Sequence, residues 1–241
     1  MLAAYNKRQN LRYPLMESLV NMRDNGLSVI GTFIIGFDGE EPGAGERIVE
    51  FVTRASLPLV QLGVLNAPLG TPLYRRLRNQ GRIITKSKNC DAFLGETNFI
   101  PLRSRHEIAR EFVEAWRKIY DRKAFIERCE AFYLAMRPTR QALALSRGLT
   151  PPAEVIPAKL PLKTKARNLV SAMFFLWWYT IRADRHARRR LARALWRVKR
   201  RNPSRLISFI NALFMAESMF VHRRRLLRSA DAITKTNSPQ P

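Results

Sequence analysis

Residues 28–39 read Ser-Val-Ile-Gly-Thr-Phe-Ile-Ile-Gly-Phe-Asp-Gly, an almost unbroken apolar run rich in β-branched side chains. Such a run lacks the alternation of a half-solvated strand and so predicts a strand buried on both faces, as in a parallel sheet covered by helices. The Gly and Asp that close it suit a backbone that comes close to a ligand. Around it the chain supplies a helix ending at Asn25-Gly26, this strand, a helix ending near Ala55, an apolar strand from Val60 to Leu65 and a helix from Thr71. That alternation is the mark of βαβ units, whose ligands sit outside the carboxyl ends of the strands.

Taken in order, a first helix begins at Pro14 with Leu15, Leu19 and Met22 on one stripe, expected to pack on the sheet. The second helix presents Ile48, Phe51, Val52 and Ala55. Thr71-Pro72 is an N-cap with proline at the first helical position, and Gly81 is its left-handed stop. Residues 82–103 show no sustained period and read as an irregular excursion. Ser104-Arg105-His106-Glu107 has the form of a capping box ahead of a stripe of Ile108, Phe112, Ala115, Trp116 and Ile119. From about Asp121, Phe125, Cys129, Phe132 and Met136 share one stripe, which makes Cys129 a core residue. Prolines make residues 137–162 a linker, helical only around Gln141 to Leu145.

Three helices are expected after that linker. The first, about Lys163 to Arg182, carries Phe174, Phe175, Trp177 and Trp178. The second, Asp184 to Arg201, sets Ala187, Leu191, Ala194, Leu195 and Val198 against nine Arg or Lys. Asn202-Pro203 is expected to cap the third, with Leu206, Ile210, Leu213 and Phe220 at helical spacing and disorder beyond about Ala230.

The net charge of +24 is uneven, residues 1–150 carrying 23 basic and 15 acidic side chains and residues 151–241 carrying 20 and 4. A tail of that kind attracts polyanions, either anionic lipid or nucleic acid. Two cysteines, Cys90 and Cys129, stand in no metal-ligand or CxxC spacing, so no disulfide framework is expected and a cytoplasmic chain is. None of the three histidines has a Cys, Asp or Glu at ligand spacing, so no metal or general-base role is assigned. The amino terminus lacks the form of a signal peptide, and the longest apolar run, Leu169 to Ile181, is too short to cross a bilayer.

Several blocks occur in a fixed order over residues 1–125: Lys7-Arg8-Gln9-Asn10, then Phe33 to Asp38, then Ala67-Pro68-Leu69-Gly70-Thr71-Pro72-Leu73-Tyr74, then Asn98-Phe99 and Ile119-Tyr120. Together they resemble the second half of cobalamin-binding radical S-adenosylmethionine enzymes, and most of all the group of hopanoid lipid biosynthesis. The resemblance implies an α/β fold with a partial (β/α) barrel fragment over 1–103 and a helical C-terminal extension; with the pattern of the sequence this divides the rest into a helical pair 104–136 packing on the barrel, the linker 137–162, a basic amphipathic helical region 163–228 and a disordered tail 229–241. In the family a Cys-x3-Cys-x2-Cys loop holds a [4Fe-4S] cluster, which cleaves S-adenosylmethionine, and a cobalamin domain precedes the barrel. Neither the cysteine loop nor that domain is present in this sequence.

What the resemblance leaves to this chain is part of the wall for S-adenosylmethionine. The family pattern Gly-x-Ile-x-Gly-x-x-Glu falls on residues 32–39, where Ile34 and Gly36 match, Thr32 stands for the first glycine and Gly39 for the acid, with Asp38 and Glu40 flanking it. Leu65, Ala67 and Pro68 would close the adenine pocket from the next strand, and Gln9 and Asn10 fall where the preceding strand meets its loop. If the chain is a split subunit, the implied partner is a separately encoded N-terminal portion that bears cobalamin and cluster; a remnant or a truncated gene model are the other readings.

For the basic tail, Trp177 and Trp178 beside Arg188, Arg189 and Arg190 fit an interfacial surface against anionic lipid at the inner face of the membrane. Nucleic acid is the weaker alternative, and a solvated face packed on the barrel is the plain one. Two function classes follow: the distal portion of a radical S-adenosylmethionine enzyme, inactive alone and acting in lipid or isoprenoid metabolism, or a non-enzymatic basic helical module.

Overall fold

A computed structural model describes residues 14–84, 92–150, 173 and 185–236. The expected helix over Lys163 to Arg182, with Trp177 and Trp178, lies outside the described residues except for Met173, as do Gln9, Asn10, Cys90 and residues 151–162 of the linker.

The chain runs α1 (Leu15–Asp24), β1 (Ile30–Ile35), α2 (Ala44–Arg54), β2 (Leu59–Val64), α3 (Pro72–Asn79), α4 (Arg105–Ile119), α5 (Arg122–Ala135), α6 (Arg140–Ser146), α7 (Arg185–Arg201) and α8 (Leu206–Thr236). The two strands are parallel, with Ile30 beside Leu59 and Ile35 beside Val64. The right order of elements therefore forms, but the sheet has two strands among the described residues, and helices outweigh it.

The strands do not share one environment. All of β2 except Gln61 is buried, whereas β1 alternates, leaving Ile30 49 % and Ile34 45 % exposed. This corrects the expectation of a strand covered on both faces. Apolar sequence sets the capacity for burial, and nothing among the described residues covers the Ile30, Thr32 and Ile34 face. The opposite face, with Phe33 and Ile35, joins the core and packs on α2, Phe33 meeting the Phe51 ring edge-on.

The outer edge of β2 is closed by side chains rather than by a third strand. The Tyr120 hydroxyl donates to the Val60 carbonyl at 2.5 Å and accepts from the Val60 N–H at 3.0 Å, while the Trp116 indole N–H donates to the Leu62 carbonyl at 3.2 Å. Trp116 and Tyr120 stack on each other inside the core, and the same core continues through α5, α7 and α8. Buried Arg128 is satisfied by the carbonyls of Leu57 and Ile119 at 3.1 and 2.6 Å.

Several local expectations are corrected. Helix α1 has no buried residue, Leu15 and Met22 are exposed, and its packing is on α5 rather than on the sheet. Ser104 makes no side-chain cap, so the capping box is not formed, although the buried stripe behind it is as expected. Asn202 does not cap a helix either: it is buried, and its amide donates to the carbonyls of Tyr133 and Met136 at 2.9 and 2.8 Å, tying the α7–α8 corner to the end of α5. Helix α8 continues to Thr236 instead of dissolving at Ala230, because no glycine or proline interrupts it before Pro239.

Among the described residues one segment, Pro203–Arg228, is long and apolar enough to cross a membrane by length and composition. Its Phe209, Ala212, Leu213, Ala216 and Phe220 are buried in the core against α4, α5 and β2, while Ile207 and Met215 of the same helix are exposed.

Candidate functional site at the carboxyl end of the sheet

The two strands end side by side, the Leu65 N–H donating to the Ile35 carbonyl at 2.8 Å, so Gly36 and Leu65 sit at one edge of the sheet. Gly36 has φ +91°, a conformation open to glycine, and a Cβ there would meet Ile108 and Val64 at 3.4 Å. The chain can then turn sharply over α4. Ile34 lies on the exposed face beside Gly63, whose own surface is covered by the short 3-10 helix Ala92–Leu94.

The turn after Gly36 is held by a carboxylate. Glu40 is buried and accepts the Gly36 N–H at 2.7 Å, which places an acid one position after the place the family pattern gives it. Burial pushes the Glu40 carboxyl up, against the opposing pull of the Gly36 bond and Arg103. Arg103 reaches Glu40 at 3.5 Å and Glu111 at 2.5 Å. Glu111 in turn accepts the N–H groups of Gly43 and Gly45 at 2.9 and 3.4 Å, at the start of α2. Burial raises Glu111, but the bonds from Gly43 and Arg103 outweigh it and hold the carboxyl below its usual range. Gly45 is required for this fit, since a Cβ would stand 2.6 Å from the Glu111 carbonyl oxygen.

Asp38 is paired with Arg82 through two bonds, at 2.9 and 2.7 Å, with Arg76 at 3.8 Å. The Arg82 hydrogen bond holds its carboxyl below the usual range, against the effect of burial. The loop after β2 is held by Asn98, whose side chain pairs with both backbone groups of Ala67 at 2.9 and 2.8 Å as a strand neighbour would. The Asn98 N–H also donates to the Asn66 side chain at 3.0 Å, and the Thr97 hydroxyl donates to the Leu65 carbonyl at 2.9 Å.

The structure thus brings Ile34, Gly36, Asp38, Leu65, Ala67 and Pro68 to one end of the sheet. They present different surfaces there. Ile34 and Pro68 are exposed, while Leu65 and Ala67 turn into a second apolar cluster with Leu77 and Phe99. Gln9 and Asn10 lie outside the described residues. Sequence reading missed the supporting roles of Arg82, Asn98, Arg103 and Glu111. Only Asn98 had a signal, as part of the Asn98-Phe99 block; the others become legible once distant segments meet. A cleft of about 400 Å³ lies on the opposite, Val64 side, bounded by Ile84, Glu96, Thr97, Arg105 and Ile108.

No group of three His, Cys, Asp or Glu side chains suited to a metal ion occurs among the described residues. Cys129 is fully buried, and burial pushes its thiol up. It cannot serve as a thiolate ligand there. The residues described here do not fit an iron–sulfur cluster.

The family model described as a domain of unknown function, DUF4070, matches residues 71–232, two thirds of the chain. An uncharacterized methyltransferase of Synechocystis sp. is 38 % identical over 122 residues, covering 51 % of this chain and 23 % of that protein. The hopanoid C-2 methylase of Rhodopseudomonas palustris is 24 % identical over 183 residues, covering 76 % of this chain and 32 % of the methylase. The chain therefore spans between about a quarter and a third of the length of these relatives. No solved structure matches it.

Proposed function

The chain belongs to the DUF4070 family, the C-terminal domain of cobalamin-type radical S-adenosylmethionine enzymes, and from that premise we propose that it is the distal portion of a radical methyltransferase. In this reading β1 and β2 are strands of a partial (β/α) barrel, and their carboxyl ends supply part of the S-adenosylmethionine wall. The observation that carries the reading is the contrast at the sheet: a glycine turn braced by Glu40 at its carboxyl end, beside a strand whose Ile30, Thr32 and Ile34 face stands open.

The other edge of β1 suits an N-terminal portion bearing the cluster and cobalamin, whose strands would continue the sheet there. In a parallel ladder a residue whose carbonyl is bonded across turns both backbone groups to its partner, so Ile35, Phe33 and Gly31 face β2. Thr32 and Ile34 then offer their N–H and C=O to the other edge. Arg103, Glu111 and Asn98 act as positioning residues that fix the two loops. The methylase similarity and the apolar Ile34 wall support a lipid or isoprenoid methyl acceptor. In this reading the chemistry of the cluster and of cobalamin belongs to the N-terminal portion, and no step of it is carried by the residues described here.

The test is anaerobic reconstitution with iron and sulfide, with and without a co-expressed partner carrying Cys-x3-Cys-x2-Cys. The isolated chain is expected to take up no stoichiometric cluster and form no 5′-deoxyadenosine, and to do so in complex. Cluster absorbance and S-adenosylmethionine cleavage by the isolated chain would overturn the assignment.

A further inference from the structure

Helix α7 has two unlike faces. Ala187, Leu191, Ala194 and Val198 are buried toward α5, and this stripe is flanked by two arginines with acidic partners. Arg190 meets Glu127 at 2.5 Å, and Arg197 meets Glu130, its Nη2 donating at 2.7 Å. Of the three arginines singled out in the sequence, Arg190 is thus engaged within the fold, while Arg188 and Arg189 point outward.

The other face is exposed and carries Arg185, Arg188, Arg189, Arg193, Lys199 and Arg200, none of them in an ion pair with a described residue. Among them stands Trp196, 58 % exposed, with the Arg200 guanidinium 5.3 Å from its ring centre. Arginines alone would suit plain solvation. An indole held out among them does not, because its apolar body gains nothing from water while its N–H end does.

We propose that this face of α7 docks on the surface of an anionic phospholipid bilayer. A helix of 17 residues is a rod of about 25 Å, which can lie flat in the headgroup plane with its guanidinium groups on phosphates and the Trp196 ring at the acyl boundary. Single-stranded nucleic acid is the lesser fit, since its bases stack on successive aromatic rings and the outer face of α7 offers one. The inference rests on α7 alone and stands or falls separately from the radical-enzyme reading.

The experiment is co-sedimentation of the full chain with phosphatidylcholine vesicles, with and without phosphatidylglycerol. Binding is expected only when the anionic lipid is present, and it should weaken with salt without vanishing. The triple change Arg188→Gln, Arg189→Gln, Arg193→Gln should weaken it roughly a hundredfold. Trp196→Phe keeps the fold and should remove a distinct part of the tryptophan quenching by bromolipid. Equal binding to neutral vesicles, unchanged affinity in the triple variant, unchanged quenching in Trp196→Phe, or displacement of the vesicles by an oligonucleotide at the same salt would each overturn the proposal.

Discussion

The two strands of the sheet are equal in length and similarly apolar, yet one is enclosed and the other is half bare. Strand β2 has its outer edge sealed by Tyr120 and Trp116 and its far face covered by the Ala92–Leu94 turn. Strand β1 shares the core on one face and shows Ile30 and Ile34 on the other. Burial is thus decided by what the fold brings alongside a strand. In the proposed barrel the bare face of β1 would turn to the barrel interior, while further strands pair with its other edge.

The sharpest way to test that contrast is to truncate one large side chain on each side of it. Trp116→Ala removes a fully buried ring and the bond to the Leu62 carbonyl, and should cost about 3–5 kcal/mol in urea unfolding. Ile34→Ala in the isolated chain should cost less than about 1 kcal/mol, since the side chain is already half in water. Equal costs would erase the difference between the strands.

A smaller effect is expected at the sealed edge itself. Tyr120→Phe keeps the packing but leaves the Val60 N–H and C=O buried without their partner, a loss of about 1–3 kcal/mol by the same measurement. A neutral result would mean that water closes this edge as readily as the hydroxyl does.

At the carboxyl end of the sheet the expected effects are smaller and have opposite signs with pH. The folded-state pKa of Asp38 is depressed, so its pairing with Arg82 stabilises fully above the ordinary carboxylate value of about 4 and fades as pH falls through the folded value. Asp38→Asn should therefore cost about 1 kcal/mol at neutral pH and progressively less in acid. Glu40 is raised by burial, so its contribution is full below about pH 4 and is lost as pH rises through its folded value. Glu40→Gln keeps an acceptor for the Gly36 N–H and should change neutral stability by less than about 0.5 kcal/mol while removing that opposing trend. Stability profiles against pH for both variants check the signs.

Helix positions were largely legible in the sequence, because their cues are local. The Thr71 hydroxyl accepts the Tyr74 N–H at 3.2 Å as its Thr-Pro context predicts, and the α4 and α5 stripes are buried as spaced. What was not legible depended on distant partners. Asn202 looked like a cap but is claimed by two carbonyls of the α5 end, and Ser104 is a cap residue in type whose hydroxyl makes no capping bond. The extent of the sheet was misjudged for the same reason: the run at residues 28–39 shows that a strand can be buried and is silent on what arrives to bury it. At the site, Gly36 and Asp38 could be named from their pattern, whereas the Arg103–Glu111 brace joins segments that only the fold brings together.

Backbone amide hydrogen exchange of the isolated chain tests the central claim most directly, because it reads the two strand edges in one experiment. The Val60 amide, bonded to the Tyr120 hydroxyl, should be protected, and Thr32 and Ile34, offered to the open edge of β1, should exchange at rates close to those of an unstructured peptide. Addition of the cluster-bearing portion should then slow Thr32 and Ile34 alone. Protection of Thr32 and Ile34 equal to that of Val60 in the isolated chain would contradict the account, since β1 would already have its neighbour.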